Sequence, residues 1–171
     1  CRTYSGNTQI GEAQPATFIA TAAEALCKPV VSGTVEDSNA ATKALTGDAS
    51  KLVRFVSTAL CAISAEARNG ASISRKTIGG AVISGDTRSI PEVETGNILF
   101  EAVDSRGYAT RIPVTANLVP YIKLTNNAVV NRTDPTSGNA VLSLKGACFC
   151  GNFGAADNAV TAKYSINGGA E

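Results

Sequence analysis

The sequence predicts an all-β fold, an antiparallel sandwich or barrel with Greek-key connections. Apolar and polar residues alternate with a period of two in several stretches, and Gly, Pro, Asn and Asp separate those stretches. Runs with the helical period of 3.6 residues are short. Because composition does not shift sharply over the 171 residues, we expect a single β-sandwich domain over residues 15–171, preceded by an N-terminal extension over residues 1–14.

Seven stretches of the sequence show the strand pattern, and the clearest of them lies near the C-terminus. Candidate strands occupy residues 15–22, 51–63, 71–84, 97–114, 119–125, 139–150 and 158–167. We expect the third to bend at Gly79 and Gly80, and the fourth to be a hairpin around Asp104 and Gly107. Turns are expected at residues 31–37, 84–97 and 131–139. Residues 38–49 are alanine-rich and predict a short helix or a loop excursion.

Charge and hydropathy argue against nucleic-acid binding and against a transmembrane segment. The 15 Lys and Arg residues balance 14 Asp and Glu residues, with a formal net charge of +1, so no basic surface for nucleic acid is indicated. The chain lacks a run of about 18 apolar residues, so we expect no transmembrane segment. Since methionine is absent even at the first position, we expect a processed, exported protein.

Five cysteines and no histidine limit the chemistry of the thiols, which lie at Cys1, Cys27, Cys61, Cys148 and Cys150. A zinc site needs more ligands than these spacings offer, and the Cys-x-x-Cys and haem-attachment motifs are both missing. Disulfide bonding is the remaining use, the alternative being two buried, unreactive thiols at Cys148 and Cys150. Because five thiols cannot all pair within one chain, we expect Cys1 to bond to Cys148 or Cys150, in the same chain or in another copy.

Catalytic and cofactor motifs are not found, so we expect no enzyme, no cofactor and no metal. Without histidine there is no Ser-His or Cys-His pair, and no Gly-x-Ser-x-Gly motif is present. Glu92 and Glu94 are expected to form a solvated face rather than an acid–base pair. The triplet that begins at Asn131 matches a glycosylation acceptor in an expected loop, although such a triplet is more often only a turn.

The N-terminal segment alternates in the manner of a strand that could add to another sheet. Its pattern puts Tyr4, Gly6, Thr8 and Ile10 on one side, and Pro15 follows at a point where a β-ladder would break. Insertion into a neighbouring copy is one interpretation. A disordered terminus and a first strand of the chain's own sandwich are equally compatible with it.

This layout resembles the subunits of bacterial surface fibres, in particular the chaperone-usher pilins. The stretch 17–29 followed by 52–63 looks like the early strand pair of that family, and 156–166 looks like its closing strand. The resemblance implies an immunoglobulin-like antiparallel β-sandwich with Greek-key connections and an extended N-terminal strand, and a disulfide between Cys27 and Cys61. It also implies an assembly chaperone and an outer-membrane usher as partners. Cys1 is similar instead to the lipidated first residue of mature bacterial lipoproteins.

The function expected from the sequence is therefore structural. We expect an extracellular, cell-surface pilus or fibre subunit that forms a homopolymer by donating its N-terminal strand, with Tyr4, Gly6, Thr8 and Ile10 in the contact. A lipid-anchored or secreted monomeric binding module, or adhesin, is the alternative. A viral coat subunit is a third hypothesis.

Overall fold

The computed structural model describes residues 2–15, 23–132, 134–161 and 163. Of these residues, 47% lie in strands and 7% in helices, and the strands form several antiparallel sheets. The prediction of an all-β protein is therefore confirmed. Residues 16–22 of the expected strand at 15–22 and half of the expected strand at 158–167 lie outside the described residues, while 158–161 and 163 are described and lie outside any strand.

The described part of the chain contains thirteen strands and two short helices. The strands are β1 (Thr3–Ser5), β2 (Thr8–Ile10), β3 (Val30–Asp37), β4 (Lys51–Val53), β5 (Ala59–Glu66), β6 (Ile73–Ile78), β7 (Ala81–Ile83), β8 (Thr87–Ile90), β9 (Asn97–Asp104), β10 (Ala109–Thr115), β11 (Asn117–Val119), β12 (Thr125–Asn131) and β13 (Val141–Ala147). The helices are α1 (Glu24–Cys27) and α2 (Ala40–Thr46).

Two antiparallel sheets make the body of the protein. One has the strand order β3-β5-β8 and the other β10-β9-β6-β7. Their tight turns use glycine where the backbone requires a positive φ: Gly79 and Gly80 have φ of 56° and 78° between β6 and β7, and Gly107 has φ of 91° between β9 and β10. Both turns were predicted at these glycines.

The core lies between the two sheets and draws from both of them. Its fully buried members include Cys61 of β5, Ile78 of β6 and Phe100 of β9. The Phe100 ring lies over Gly33 so closely that a Cβ atom at position 33 would meet ring carbon Cε2 at 2.0 Å. Gly33 therefore belongs to a strand and permits the contact between sheets, which corrects the expected turn at residues 31–37.

A buried carboxylate organises one end of the sandwich. Asp37 ends β3 with 3% of its surface exposed. Its Oδ2 accepts hydrogen bonds from Ser57 Oγ at 2.7 Å and Thr42 Oγ1 at 2.5 Å, and its Oδ1 accepts one from the Asn39 amide at 2.9 Å. Asn39 in turn caps α2, accepting from the Ala41 amide at 3.0 Å. The helix is thus fastened directly to the first sheet.

Three further differences separate the expected strands from the observed ones. The stretch 51–63 is interrupted because Phe55 adopts a φ of 63°, so β4 and β5 are separate strands. Residues 87–90, expected within a turn, instead form β8 by pairing with β5. Residues 120–124 lie outside any strand, and the strand begins later, at Thr125.

Candidate assembly surface

The N-terminal segment folds back on itself as a hairpin of β1 and β2, which we call the N-terminal hairpin. Thr3 pairs with Ile10 and Ser5 with Thr8, around a two-residue turn in which Gly6 has a φ of 57°. This corrects the expected extended strand. Gly-Asn between alternating residues is a hairpin signal, and the sequence carries it at residues 6–7.

The hairpin also changes which residues share a face. Directly paired residues point to the same side of a sheet, so Thr8 and Ile10 lie on one face and Tyr4 on the other, opposite Gln9. The expectation that Tyr4 and Ile10 share one side is therefore wrong for this conformation. Both side chains are more than half exposed, at 53% for Tyr4 and 55% for Ile10.

A second isolated hairpin, β12 with β13, projects as what we call the arm (residues 125–147). All seven residues of β12 are exposed, as are all residues of β13 except the half-buried Ser143. The strands pair antiparallel in an unbroken register from Thr125 opposite Ala147 to Asn131 opposite Val141. No third strand joins this sheet within the described chain.

The register gives the arm one apolar face. Ala128 is opposite Leu144 and Val130 is opposite Leu142, so these four side chains lie together on one side. Val130 is 66% exposed and Leu144 is 48% exposed. Leu124, Leu144, Cys148 and Val160 line a groove at the base of the arm. The arm thus presents a continuous apolar surface that the described chain leaves uncovered.

Asn131 lies at the end of β12 rather than in the loop where it was expected. It is exposed and pairs with Val141. The third residue of its glycosylation triplet lies outside the described residues. Of the two arm strands, β12 was not predicted, although the consecutive β-branched residues Val129 and Val130 favour a strand.

An aromatic cluster joins the arm to the body. Phe149 follows the arm and Tyr121 precedes it, with ring centroids 6.0 Å apart. Phe153 lies 5.0 Å from Phe149 and 6.0 Å from Tyr121, and only 7% of Phe153 is exposed. The residues that follow Phe153 contact the body, where the Ala155 backbone N–H donates to the Leu45 carbonyl of α2 at 2.9 Å. Both ends of the arm are therefore held by one cluster.

Cys148 and Cys150 lie beside this cluster, just after β13 ends. Their Sγ atoms are 3.1 Å apart, with Cys148 half-buried and Cys150 exposed. Residues 139–150 were expected to form one strand that includes both cysteines. The chain instead bends after Ala147 and turns the two thiols towards each other.

Cys27 and Cys61 are not joined, which corrects the disulfide implied by the pilin resemblance. Both thiols are free and buried. Cys61 is opposite Val35 in the middle of the first sheet, whereas Cys27 precedes Val30, which is opposite Glu66 at the far end of β5. Cys61 and Glu66 are separated by about 16 Å along the strand, while a disulfide needs Cα atoms within about 7 Å. Cys1 lies outside the described residues.

An ion-pair cluster joins the three adjacent strands β10, β9 and β6 of the second sheet. Arg111 and Arg75 both contact the carboxylate of Glu101, which has a side-chain exposure of 8%. The hydrogen bond from Arg111 is the main reason that the pKa of Glu101 lies below its ordinary value, although burial opposes the shift. Glu92 and Glu94 are exposed, as expected.

The β9–β10 turn is tied to two other segments through Arg106. Its guanidinium donates to Asp104 Oδ2 at 2.7 Å, to the Cys27 carbonyl at 2.9 Å and to the Arg68 carbonyl at 3.0 Å. Burial alone would raise the pKa of Asp104, but the hydrogen bonds from Arg106 and from the Tyr108 amide bring it below its ordinary value. This cluster therefore has a structural role.

Within the described ranges, no group of three or more potential metal-ligating side chains comes together, and no helix is long and apolar enough to cross a membrane. Comparison with known protein families, with curated proteins and with solved structures found no match.

Proposed function

We propose that the chain is a structural subunit of an extracellular pilus or fibre, which polymerises by donating its N-terminal strand to a neighbouring copy. The observation that carries this proposal is the uncovered apolar face of the arm. An isolated two-stranded hairpin is at best marginally stable in water. Exposed apolar strands with free edges are an aggregation hazard unless a specific partner covers them.

The N-terminal hairpin supplies a partner of suitable chemistry. It has no charged side chain from Thr3 to Ile10, and the arm carries only Lys145 between Thr125 and Asn131 or Val141 and Ala147. Contact between the two therefore desolvates few charges. A strand added to the free edge of β12 or β13 gains main-chain hydrogen bonds along its whole length, and a head-to-tail contact that does not close produces a filament.

To donate a strand to the arm of another copy, the N-terminal hairpin must either open or add to the edge of the arm with β1 and β2 still paired. Its two strands of three residues share one short ladder, so little local structure is lost on opening. Ile10 and Thr8 would then lie against the apolar face formed by Ala128, Val130, Leu142 and Leu144.

The body of the subunit is proposed to be an immunoglobulin-like Greek-key sandwich. The order β3-β5-β8 opposite β10-β9-β6-β7 supports this, because it corresponds to strands A-B-E opposite G-F-C-C′ of such domains. Under this assignment the chain provides its own last strand as β10. The acceptor for a donated strand is therefore the arm, rather than a gap in the body.

The test is to delete residues 1–13 and supply the same peptide in trans. The intact protein should form long filaments in negative stain, whereas the truncated protein should stay folded and monomeric in sedimentation velocity. Adding the peptide should give soluble complexes that cannot elongate. Val130→Lys should weaken peptide binding by about tenfold or more, which corresponds to about 1.4 kcal/mol. Leu60→Lys is the matched control, since Leu60 is 39% exposed on the central strand β5.

Each other outcome selects a different function. Normal filaments from the truncated protein would show that strand donation is wrong. An intact protein that remains monomeric at all concentrations would support the lipid-anchored or secreted binding module. Closed shells in place of filaments would support a coat subunit.

A further inference from the structure

We propose that Cys148 and Cys150 form a disulfide with each other, a redox-active Cys-x-Cys pair that fixes the exit of the arm. Their Sγ atoms are 3.1 Å apart, so an approach of about 1 Å gives the bond length of a disulfide. The pairing within one chain differs from a bond to Cys1 or to another copy, and it does not depend on the proposed fibre function.

The bend that brings the thiols together is held by contacts that do not involve sulfur. The Phe149 ring packs over Gly151, where a Cβ atom would meet ring carbon Cζ at 2.6 Å. The side-chain Nδ2 of Asn158 donates to the Phe149 carbonyl, and the backbone N–H of Asn158 donates to the Gly151 carbonyl at 3.2 Å. Asn152 donates to the Asp157 carboxylate at 2.6 Å. The segment is therefore preorganised for bond formation before any oxidation occurs.

The difference in solvent exposure predicts which of the two thiols reacts first with an oxidant. Cys150 is exposed and Cys148 is half-buried, so an oxidant reaches Cys150 first. The contact with Cys150, together with burial, raises the pKa of the Cys148 thiol above its ordinary value. Cys148 is therefore suited to act second, as the resolving thiol.

The oxidant required is a disulfide, either a small one such as oxidised glutathione or that of a thiol oxidase. The Cys150 thiol loses its proton to water, and its thiolate attacks one sulfur of that disulfide, which breaks and releases one thiolate. Cys148 then loses its proton and attacks Cys150 Sγ, forming the Cys148–Cys150 bond and expelling the second thiolate. Two protein thiols are oxidised and one disulfide is reduced to two thiols.

The consequence of the bond is local. A ring of this size removes little loop-closure entropy from the unfolded chain, so a large gain in global stability is not expected. The bond instead fixes the backbone around Phe149, which lies 5.0 Å from Phe153 in the aromatic cluster at the base of the arm. Oxidation therefore restricts the angle at which the arm leaves the body.

The experiment treats the full, folded chain with oxidised glutathione, alkylates the free thiols and maps peptides without reduction. The expected product is a single peptide in which Cys148 and Cys150 are linked, with a loss of two hydrogen masses. The Cys148→Ser variant should retain a stable glutathione adduct on Cys150, because the resolving thiol is missing. Cys150→Ser should lose most of this reactivity.

The buried thiols provide the matched control, since burial raises the pKa of Cys61 above its ordinary value. A Cys27→Ser, Cys61→Ser protein should still form the Cys148–Cys150 link. Full alkylation of both thiols after oxidation would overturn the proposal. So would a map that joins either thiol to Cys1, or a covalent dimer through them on a non-reducing gel.

Discussion

Ser57 donates a hydrogen bond of 2.7 Å to Asp37, and the same hydroxyl accepts one of 2.7 Å from the amide of Val53. Ser57 has no exposed surface and Asp37 has 3%. One buried hydroxyl therefore connects the end of β3 to the irregular segment between β4 and β5.

Replacing Ser57 by alanine should destabilise the protein by about 1 to 3 kcal/mol, because the Val53 amide would lose its acceptor and Asp37 one of its donors in a buried site. Chemical denaturation at neutral pH measures this difference. Ser50→Ala is the control, since the exposed Ser50 hydroxyl donates to Asp48 on the surface. Equal stabilities of the two variants would contradict the role given to the buried hydroxyl.

Gly33→Ala should lower the free energy of unfolding by about 1 to 3 kcal/mol, the usual cost of overpacking a core. A new Cβ atom would overlap the Phe100 ring and come within 2.9 Å of the Ala62 carbonyl oxygen. Gly85→Ala provides the comparison, because nothing lies within 4 Å of a Cβ atom there. A thermal melt in which Gly33→Ala matches the parent protein would show that the two sheets are farther apart than described.

Glu101→Gln should destabilise the protein at neutral pH by about 1 to 3 kcal/mol through loss of charge-assisted hydrogen bonds to Arg111 and Arg75. The folded-state pKa of Glu101 is lowered from 4.5, so its contribution is complete above that pH and is lost as the pH falls through the folded value. The difference from the parent should therefore shrink in acid.

Denaturation curves between neutral pH and about pH 3 test this dependence on Glu101. The exposed Glu36 of β3 serves as the control through Glu36→Gln, which should change stability little at any pH. A deficit for Glu101→Gln that stays constant into acid would argue against the ion-pair explanation.

Phe153→Ala should loosen the arm, since the ring is buried and contacts both Tyr121 and Phe149. A large-to-small change at a buried aromatic costs about 3 to 5 kcal/mol where the cavity stays open. Hydrogen exchange should show greater loss of protection in β12 and β13 than in β9. Tyr4→Ala, at an exposed aromatic residue, should leave both regions unchanged. Equal loss of protection in the arm and β9 would show that the cluster serves the whole fold.

The sequence predicted those parts of the fold that depend on local pattern. The β9–β10 hairpin was found from alternation and from Gly107, and the break after Ile78 from two consecutive glycines. The strand β3 was missed because Gly33 reads locally as a turn residue. Only the distant Phe100 ring explains why a strand needs glycine there.

The candidate assembly surface was predicted only in part, for a similar reason. Alternation in residues 3–10 was recognised, but the turn at Gly6 reverses the chain and separates Tyr4 from Ile10. The proximity of Cys148 to Cys150 depends on a bend set by Phe149 and Asn158. Spacing along a presumed strand gave no signal of that bend.

The pairing of β4 with β11 differs from the other ladders of the described chain because it is parallel, and it joins Lys51 to Asn117. The segments between them contain β5 to β10, which belong to both sheets of the body, so forming this ladder closes a long loop. Pairings between distant segments are slow, since the entropy of closing the loop is lost before the contacts form. The arm begins six residues after β11 and therefore gains its final position late in folding. During that interval its apolar strands are exposed on a nascent chain, so off-pathway association is expected to increase with protein concentration during refolding.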